Sequence, residues 1–470
     1  MSPLDLIGIA RRAPVHFMGV GGAGMSPLAE LVLRSGGRVT GCDALGSSAT
    51  NALQEAGAEV MVGHDPSHIE ECALLVVTAA VPADHPELAA ARSRGIPVLK
   101  RAEALASIVN RGQVIGIAGT HGKTTTTVLT AVVLEAAGLD PTALVGGRVP
   151  AWDGNLRRGA DRLYVVEADE YDHSFLTLDP FIAVVTTLEA DHLDIFGSLA
   201  AVEAAFDTFV SRVPESGMIA GCADDAGVAR LFARVRAPGE RVVSYGLSAG
   251  AMLRAEELRA SGTHSTFVVR ERGARLGRAT LPAPGLHNVR NALAAVAVAR
   301  RLGAPWGAID EGLRAHSGIE RRFERVGEAG GVVLVDDYAH HPTEVAATLA
   351  AARGAHPRRR LVAVFQPHLF TRTRDFAEEF GRSLAAADLV FVTDVYAARE
   401  EPLPGIDGSL VARSTAAAGA EVHYHTERAS LPAEVARALQ PGDLCLTLGA
   451  GDLNHAAREI LALLQSAAAR

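Results

Sequence analysis

The sequence predicts an α/β protein with three domains, each built on a mainly parallel sheet. The chain has 470 residues, which is more than one hydrophobic core usually accommodates. Short apolar strands alternate with helical segments along its length, the pattern of parallel sheets with crossover helices. Glycine-rich or polar turns follow strands in three regions. We therefore expect domains at residues 1–108, 109–320 and 321–470.

Composition excludes several classes of protein. The chain is 48% hydrophobic and 21% charged, as soluble globular enzymes are, and its net charge of -9 argues against a general nucleic-acid binder. No segment is apolar over the ~20 residues that span a membrane, and the N-terminus lacks the pattern of a signal peptide. The four cysteines are scattered singly, like reduced thiols. We expect a cytoplasmic monomer or homodimer without a nucleic-acid or membrane partner.

The first region contains a glycine-rich turn between the predicted strand Val15–Val20 and the predicted helix Met25–Ser35. The turn matches the GxGxxG fingerprint of dinucleotide-binding proteins, and an acidic residue follows about 20 residues later. The matching residues are Gly19, Gly21, Gly24 and Asp43. Such a turn lets a pyrophosphate approach the backbone closely, so the ligand is either a nicotinamide dinucleotide or a UDP-sugar. We interpret this region as a small Rossmann-like domain.

The central region contains a second glycine turn, Gly119-Thr-His-Gly-Lys-Thr124, between a strand and a helix. It is a short form of the P-loop, because Ile117 stands where the general pattern has its first glycine. Backbone N–H groups at the helix N-terminus form an anion site, where Lys123 would reach the β/γ-phosphates and Thr124 a magnesium ion. Lysine otherwise occurs only at Lys100, which favours a specific use of the ammonium here.

Two acidic clusters follow later strands of the central region, Glu167-Ala-Asp-Glu-Tyr-Asp172 and Glu189-Ala-Asp-His-Leu-Asp194. The carboxyl ends of parallel strands meet at one edge of the sheet, beside the P-loop. Carboxylates there are costly unless they face a cation such as the one MgATP brings. Glu167 is the best candidate ligand and His192 a second. The alternative for His192 is a histidine held by a nearby backbone group or carboxylate, since magnesium prefers oxygen.

A helix that begins near Gly285 carries two amides three residues apart, Asn288 and Asn291. Both side chains share one face, so both could meet a base edge such as adenine. Asn288 alone would be a helix cap.

The third region again places polar groups at strand ends. The strand Val332–Val335 leads into Asp336-Asp-Tyr-Ala-His-His-Pro342, and the strand Leu361–Phe365 leads into a segment with Arg372 and Arg374. These arginines could clamp a carboxylate in bidentate fashion. The alternative is that each covers its own helix.

Seven motifs in this order resemble the Mur ligases of peptidoglycan synthesis, over essentially the whole chain. They are Gly19–Ser26, Gly119–Thr124, Glu167–Glu170, Glu189–His192, His287–Asn291, Arg321–Phe323 and Asp336–Pro342. The resemblance implies a Rossmann-like N-terminal domain that binds a UDP-sugar, a central ATPase domain with this short P-loop, and a Rossmann-like C-terminal domain that supports the amino acid. It also implies ATP as co-substrate and one or two Mg²⁺ ions.

The resemblance implies the following roles. Expected near ATP are Gly119, Thr120, His121, Gly122, Lys123, Thr124, Thr125, Asn288, Asn291, Arg322 and Asp337. Expected at the metal are Thr124, Glu167 and His192. Expected at the UDP-sugar are Gly19, Gly21, Gly22, Gly24, Met25, Ser26, Asp43 and His121. Expected at the amino acid are Tyr338, His340, Arg372 and Arg374, with His340 also a candidate base. The catalytic set is Lys123, Glu167, His192 and His340.

Within the family, Gly19–Ser26 resembles the branch that joins L-alanine to UDP-N-acetylmuramate through an acyl phosphate. A nearer alternative is the muropeptide-recycling branch, which adds a tripeptide to the same sugar nucleotide. A dehydrogenase is the alternative from another class, and it rests on the GxGxxG fingerprint with Asp43. Two departures stand out. The helix Leu199–Val210 lacks the lysine that several Mur ligases carbamylate, and Leu369 replaces an arginine of some alanine-adding members.

Overall fold

The protein contains three sheets, as seen in a computed structural model that describes residues 4–78, 81–236, 239, 241–398 and 400–468. Within these residues the sheets have five, ten and six strands. The prediction of a three-sheet α/β protein is confirmed. None of the helices in the described ranges has the length and apolarity that a membrane crossing needs.

The first sheet is parallel, with strand order β3-β2-β1-β4-β5. Its strands are β1 Val15–Met18, β2 Val39–Asp43, β3 Glu59–Val62, β4 Leu74–Val77 and β5 Val98–Lys100. Its helices are α1 Leu6–Arg12, α2 Ser26–Arg34, α3 Ser48–Glu55, α4 Pro86–Ser93 and α5 Arg101–Val109. Since β1 is central and β4 lies on its other side, the glycine turn after β1 lies where the strand order reverses, the position at which open α/β sheets bind ligands.

The second sheet has the order β15-β14-β13-β12-β11-β10-β6-β9-β7-β8. Its strands are β6 Gln113–Ala118, β7 Thr142–Val149, β8 Gly154–Arg157, β9 Leu163–Glu167, β10 Pro180–Val185, β11 Met218–Cys222, β12 Val242–Gly246, β13 Leu253–Ser261, β14 His264–Glu271 and β15 Ala274–Leu281. The helices are α6 Lys123–Ala136, α7 Leu193–Phe196, α8 Leu199–Ser211, α9 Ala226–Arg234, α10 Leu286–Arg301 and α11 Trp306–Arg314. The P-loop strand β6 lies between β10 and β9, and both pair with it in parallel. The two acidic clusters therefore follow the strands on either side of the P-loop.

The third sheet has the order β16-β17-β21-β18-β19-β20, with only β16 antiparallel among these strands. Its strands are β16 Glu324–Ala329, β17 Val332–Asp337, β18 Leu361–Phe365, β19 Leu389–Thr393, β20 Val422–His425 and β21 Leu444–Leu448. The helices are α12 Pro342–Ala355, α13 Phe370–Leu384, α14 Gly408–Ala417, α15 Leu431–Ala438 and α16 Leu453–Ala468. Two apolar clusters cover the two faces of this sheet.

The chain divides into two compact units. The first comprises Met1–Glu256, Val268–Ala279 and Arg290–Ser317, and the second comprises Glu257–Phe267, Thr280–Val289 and Gly318–Arg470. In the first unit, one continuous apolar cluster includes Phe17 of β1, Val114 of β6 and Phe209 of α8. The first two sheets thus share a core.

Candidate active site

The P-loop connects β6 to α6 through two glycines in the left-handed region, Gly119 at φ +134° and Gly122 at φ +80°. A Cβ atom on Gly119 would collide with the hydroxyl of Thr186, and one on Gly122 would lie 2.6 Å from Oδ1 of Asn291. Both positions therefore require glycine for space as well as for backbone conformation. Gly122 is the N-cap of α6, so the free N–H groups of the helix lie directly behind the turn.

Lys123 is the first residue of α6, and its ammonium lies under the loop. Its Nζ atom donates to the carbonyl oxygen of Gly119 at 2.7 Å and contacts both carboxylate oxygens of Glu170 at 2.8 and 2.9 Å. Burial favours the neutral amine, but the carboxylates of Glu170 and Asp169 outweigh burial and raise the pKa of Lys123. The charged form of Lys123 is therefore stabilised at the place predicted for phosphate.

Glu170 is a residue that sequence reasoning missed. It lies in the same motif as Glu167 and is almost completely buried, and its Oε1 atom is 4.0 Å from Nε2 of His192. Glu167, the predicted ligand, ends β9 and accepts a 2.8 Å hydrogen bond from the backbone N–H of Gly146. Glu170 contacts Lys123 and approaches His192. The sequence could have indicated Glu170, because it comes three residues after Glu167 and follows the same strand, β9.

The second acidic segment is bonded to the P-loop. The backbone N–H of Glu189 donates to the hydroxyl of Thr120 at 2.9 Å, and the backbone N–H of His121 donates to the hydroxyl of Thr187 at 2.9 Å. The imidazole Nε2 of His121 lies 3.6 Å from a carboxylate oxygen of Glu189. These contacts fix the loop between β6 and α6 to the end of β10. Thr124 and Thr125 are buried in the first turn of α6.

The two amides of α10 have different surroundings. Asn291 lies against Gly122 of the P-loop. Asn288 donates through Nδ2 to the carbonyl oxygen of Pro284 at 2.8 Å. Both side chains are buried, and their assignment to adenine stays a prediction.

The N-terminal glycine turn is stabilised by β2. The backbone N–H of Gly19 donates to the carbonyl oxygen of Cys42 at 2.8 Å, and the N–H of Gly21 donates to Oδ2 of Asp43 at 2.9 Å. The predicted sugar-nucleotide residue Asp43 therefore binds the turn itself. Met25, also predicted at this ligand, has its side chain in the core at 2% exposure. Ser26 is the first residue of α2 and is partly exposed.

Arg101 supplies a cation to this turn and was not predicted. A Cβ atom on Gly24 would lie 3.1 Å from Cδ and Nη1 of Arg101, so the arginine side chain covers the turn. Nη2 of Arg101 also lies 3.7 Å from Oδ2 of Asp169, in the acidic cluster after β9. The sequence signal was a basic pair, Lys100 and Arg101, at the end of β5.

In the second unit, Asp337 organises the end of β17. Its carboxylate accepts hydrogen bonds from the backbone N–H groups of Phe323 at 2.7 Å and Ala339 at 2.8 Å. Burial raises the pKa of Asp337 to about 6, against the opposing charge of Arg322. The guanidinium carbons of Arg321 and Arg322 lie 4.9 and 5.1 Å from the ring centroid of Tyr338. Asp337 and Arg322, both predicted at the nucleotide, are thus linked to Tyr338, predicted at the amino acid.

The predicted amino-acid residues are only partly brought together. Nδ1 of His340 lies 3.0 Å from the carbonyl oxygen of Tyr338, and its ring lies 6.0 Å from that of His368. Nη1 of Arg372, a buried residue of α13, lies 3.5 Å from Nδ1 of His368.

Arg374 does not join them. It pairs with its neighbour Asp375 at 2.7 Å, and its side chain is 53% exposed. Successive residues of a helix point in different directions, and Arg372 rather than Arg374 lies on the buried face of α13. The role of Arg374 at the amino acid stays a prediction, and its contact with Asp375 is compatible with the surface alternative. His368 and Tyr396, whose rings stack at 5.8 Å, are neighbours that the sequence did not single out.

Three family models match the chain in succession. The Mur ligase family catalytic domain matches residues 14–113, the Mur ligase middle domain matches residues 117–299, and the glutamate ligase domain of Mur ligases matches residues 321–451. The chain belongs to the Mur ligase family.

Two relatives share one name over nearly their full lengths. The UDP-N-acetylmuramate–L-alanine ligase of Geobacter sp. (strain M21) is 42% identical over 454 residues, covering 96% of this chain and 98% of its own. The protein of that name from Acidothermus cellulolyticus is 46% identical over 449 residues, covering 96% and 94%.

Solved structures agree with these relatives. The UDP-N-acetylmuramate–alanine ligase of Thermotoga maritima superposes with a TM-score of 0.83 at 28% identity, covering 97% of this chain and all of that one. A murein peptide ligase from Psychrobacter arcticus superposes with a TM-score of 0.71 at 25% identity, covering 96% and 99%.

Proposed function

We propose that this protein catalyses ATP-dependent formation of an amide between the lactyl carboxylate of UDP-N-acetylmuramate and the amine of L-alanine, a step of peptidoglycan precursor synthesis. The observation that carries this proposal is the likeness, over nearly the whole chain, to relatives with that printed activity at 42% and 46% identity. In this proposal residues 1–108 bind the UDP-sugar, residues 109–320 bind ATP, and residues 321–470 support the amino acid.

The central site is suited to joining two anions. The substrate carboxylate attacks the γ-phosphate, which gives an acyl phosphate and ADP, and the amine then attacks the acyl carbon and releases phosphate. Lys123 and the N–H groups at the start of α6 offset the repulsion between carboxylate and phosphate. His121, beside Glu189 at 3.6 Å, lies on the loop and would face the sugar carboxylate.

We propose Glu170, with Thr124 and His192, as the residues that would hold Mg²⁺. Glu170 and Thr124 offer the oxygen atoms that magnesium prefers, and Nε2 of His192 lies 4.0 Å from the Glu170 carboxylate. A magnesium ion bound there would neutralise charge on the transferring phosphoryl group. Glu167, the best candidate from the sequence, ends β9 three residues before Glu170 and is the alternative ligand.

The second unit has groups suited to L-alanine. Arg372 is a buried cation that can pair with the alanine carboxylate. His340, whose ring lies 6.0 Å from that of His368, is a candidate base for the incoming amine. Glu344 lies 3.2 Å from Nδ1 of His340 and would orient that ring.

Phosphate release with a panel of acceptors tests the proposal. The purified chain is incubated with MgATP and UDP-N-acetylmuramate, and then with L-alanine, glycine, L-serine or the muropeptide tripeptide. We expect the highest kcat/KM with L-alanine. A preference for the tripeptide would instead indicate a recycling ligase, and no phosphate release with any acceptor would contradict the proposed class of reaction. An NADH titration without a change in absorbance or fluorescence is expected, because the dehydrogenase reading gives no role to the P-loop.

A further inference from the structure

A cluster of six ligand-type side chains lies in the first unit and takes no part in the proposed reaction. It combines one thiol, one carboxylate and four imidazoles from different elements of the five-stranded sheet. His16 lies on β1 and Cys42 on β2, His64 and His68 follow β3, and His85 and Glu87 lie at the start of α4. His16, Cys42 and Glu87 have no exposed surface.

The distances between the donor atoms are short and similar. Sγ of Cys42 lies 3.3 Å from Nε2 of His16, 3.3 Å from Nδ1 of His64 and 3.4 Å from Oε2 of Glu87. Nδ1 of His64 lies 3.6 Å from the same oxygen of Glu87. Zinc with bonds of 2.0–2.3 Å in a tetrahedral site separates its ligand atoms by about 3.3–3.8 Å. Four of the six distances between the ligand atoms of such a tetrahedron therefore have suitable lengths in this cluster.

Neighbouring groups orient these donors as in known metal sites. Nδ1 of His16 lies 2.9 Å from the hydroxyl of Thr40, which directs Nε2 toward Cys42. Oε1 of Glu87 accepts from the backbone N–H of Asp65 at 2.8 Å and lies 3.1 Å from Nδ1 of His68. One oxygen of Glu87 is thus held by the protein, and the other faces the thiol. Outer hydrogen bonds of this kind fix the orientation of metal ligands.

We propose that Cys42, His64, Glu87 and His16 bind one Zn²⁺ ion. A thiolate, two imidazoles and one carboxylate form a set that selects zinc over magnesium, which prefers oxygen ligands. A buried carboxylate requires a partner, and a divalent cation supplies one for both Glu87 and the Cys42 thiolate. His64 has 30% of its side chain exposed, so the ion can enter from that side.

The position of the site gives the ion a structural role. The carbonyl oxygen of Cys42 accepts from the N–H groups of Gly19 and Val20 at 2.8 and 3.1 Å, in the turn assigned to the UDP-sugar. A metal that fixes Cys42 therefore stabilises this turn and the loop that carries His64. On binding of the ion, the S–H bond of Cys42 breaks, its proton passes to solvent and a bond forms between the sulfur and zinc, without any change of oxidation state.

Cobalt substitution in the full-length chain tests this site. After treatment with a chelator, CoCl₂ is titrated into the protein and the thiolate-to-cobalt absorption band is recorded, and ZnCl₂ is then added. We expect one Co²⁺ per chain with that band, loss of the band on addition of zinc, and no loss with excess MgCl₂. Thermal unfolding measured with zinc should occur at a higher temperature than without it.

Matched variants assign the ligands. Cys42→Ser should abolish the band, whereas Cys72→Ser, which changes another buried thiol of the same domain, should retain it. His64→Asn changes a partly exposed loop residue and should weaken zinc binding about 100-fold or more while far-ultraviolet circular dichroism stays unchanged. A wild-type protein without the band, or a band that persists in Cys42→Ser, would overturn the proposal. Equal zinc affinity in wild type and folded His64→Asn would do the same, leaving the cluster a hydrogen-bond network around Glu87.

Discussion

Two glycine turns of the first unit begin alike and are completed differently. Each follows a buried parallel strand and leads into a helix, the turn of Gly19–Gly24 after β1 and the P-loop of Gly119–Gly122 after β6. In the P-loop the cation belongs to the motif, because Lys123 opens the helix and is held by Glu170 at 2.8 Å. In the N-terminal turn the cation is Arg101, which comes from α5.

In the proposed function, this difference corresponds to two kinds of phosphate binding. At the N-terminal turn Asp43 accepts the N–H of Gly21, so fewer backbone donors remain, as would suit a diphosphate that is bound but does not react. At the P-loop the buried ammonium of Lys123 contacts the Glu170 carboxylate at the helix start, where charge would change during the proposed phosphoryl transfer. Both turns join a strand to a helix through glycines, the arrangement of an anion site. They differ in the cation beside them, which is Lys123 at the P-loop and Arg101 at the N-terminal turn.

The largest effect is expected at Lys123. Lys123→Ala should lower kcat/KM for ligation about 1,000-fold or more, because the charge beside the transferring phosphate is lost, while binding of UDP-N-acetylmuramate remains nearly intact. Phosphate release and calorimetric titration of the sugar nucleotide measure the two properties. Lys100→Ala is the control, since Lys100 is the other lysine of the chain and pairs with Asp172 at the surface. Retention of most of the turnover in Lys123→Ala would remove the P-loop from the mechanism.

The second largest effect is expected on kcat and the magnesium requirement, when Glu170 and Glu167 beside the P-loop are replaced in turn. Glu170→Gln should lower kcat about 100-fold and raise the magnesium concentration needed for half-maximal rate, because Glu170 contacts Lys123 and approaches His192. Glu167→Gln should cost about tenfold or less, since Glu167 accepts from the N–H of Gly146. Magnesium titrations of both variants provide the measurement. The opposite order of effects would restore Glu167 as the metal ligand.

A smaller effect is expected at the N-terminal turn. Arg101→Ala should raise KM for UDP-N-acetylmuramate about tenfold and leave KM for ATP unchanged, because a charged contact to the sugar nucleotide is lost. Arg94→Ala removes an exposed arginine of the same domain, paired with Glu70, and serves as the control. A rise in KM for ATP instead would place Arg101 at the P-loop, through its contact with Asp169.

The smallest expected effect is on stability, when one glycine of each turn is replaced by alanine. Gly122→Ala should cost about 1–2 kcal/mol of stability, because alanine disfavours φ +80° and its Cβ would crowd Asn291. Gly24→Ala should cost less, since only the flexible side chain of Arg101 must move. Thermal unfolding of both variants beside wild type measures the difference. Equal losses of stability would show that the two turns impose the same demand on their glycines.

Much of this molecule could be predicted from local sequence because central strands such as β1, β4, β18 and β21 are buried on both faces and appear as short apolar runs. The strand Leu361–Phe365 has the predicted bounds. The P-loop and the acidic segments after its neighbouring strands were likewise visible, since a motif of contiguous residues carries its own backbone conformation. The alternation of strands and helices then placed those segments at one edge of a sheet.

Tertiary structure decided which side chains meet. Glu167 and Glu170 lie three residues apart in one motif, and the turn after β9, with Asp172 and His173 at positive φ, places the Glu170 carboxylate on Lys123. Arg101 reaches Gly24 from the other end of its domain. Sequence alone indicated the class of chemistry, because a glycine turn and a lysine at the start of a helix form an anion site, and acidic residues beside it can bind a cation. The choice among similar residues depends on strand order and loop geometry, which bring distant positions together.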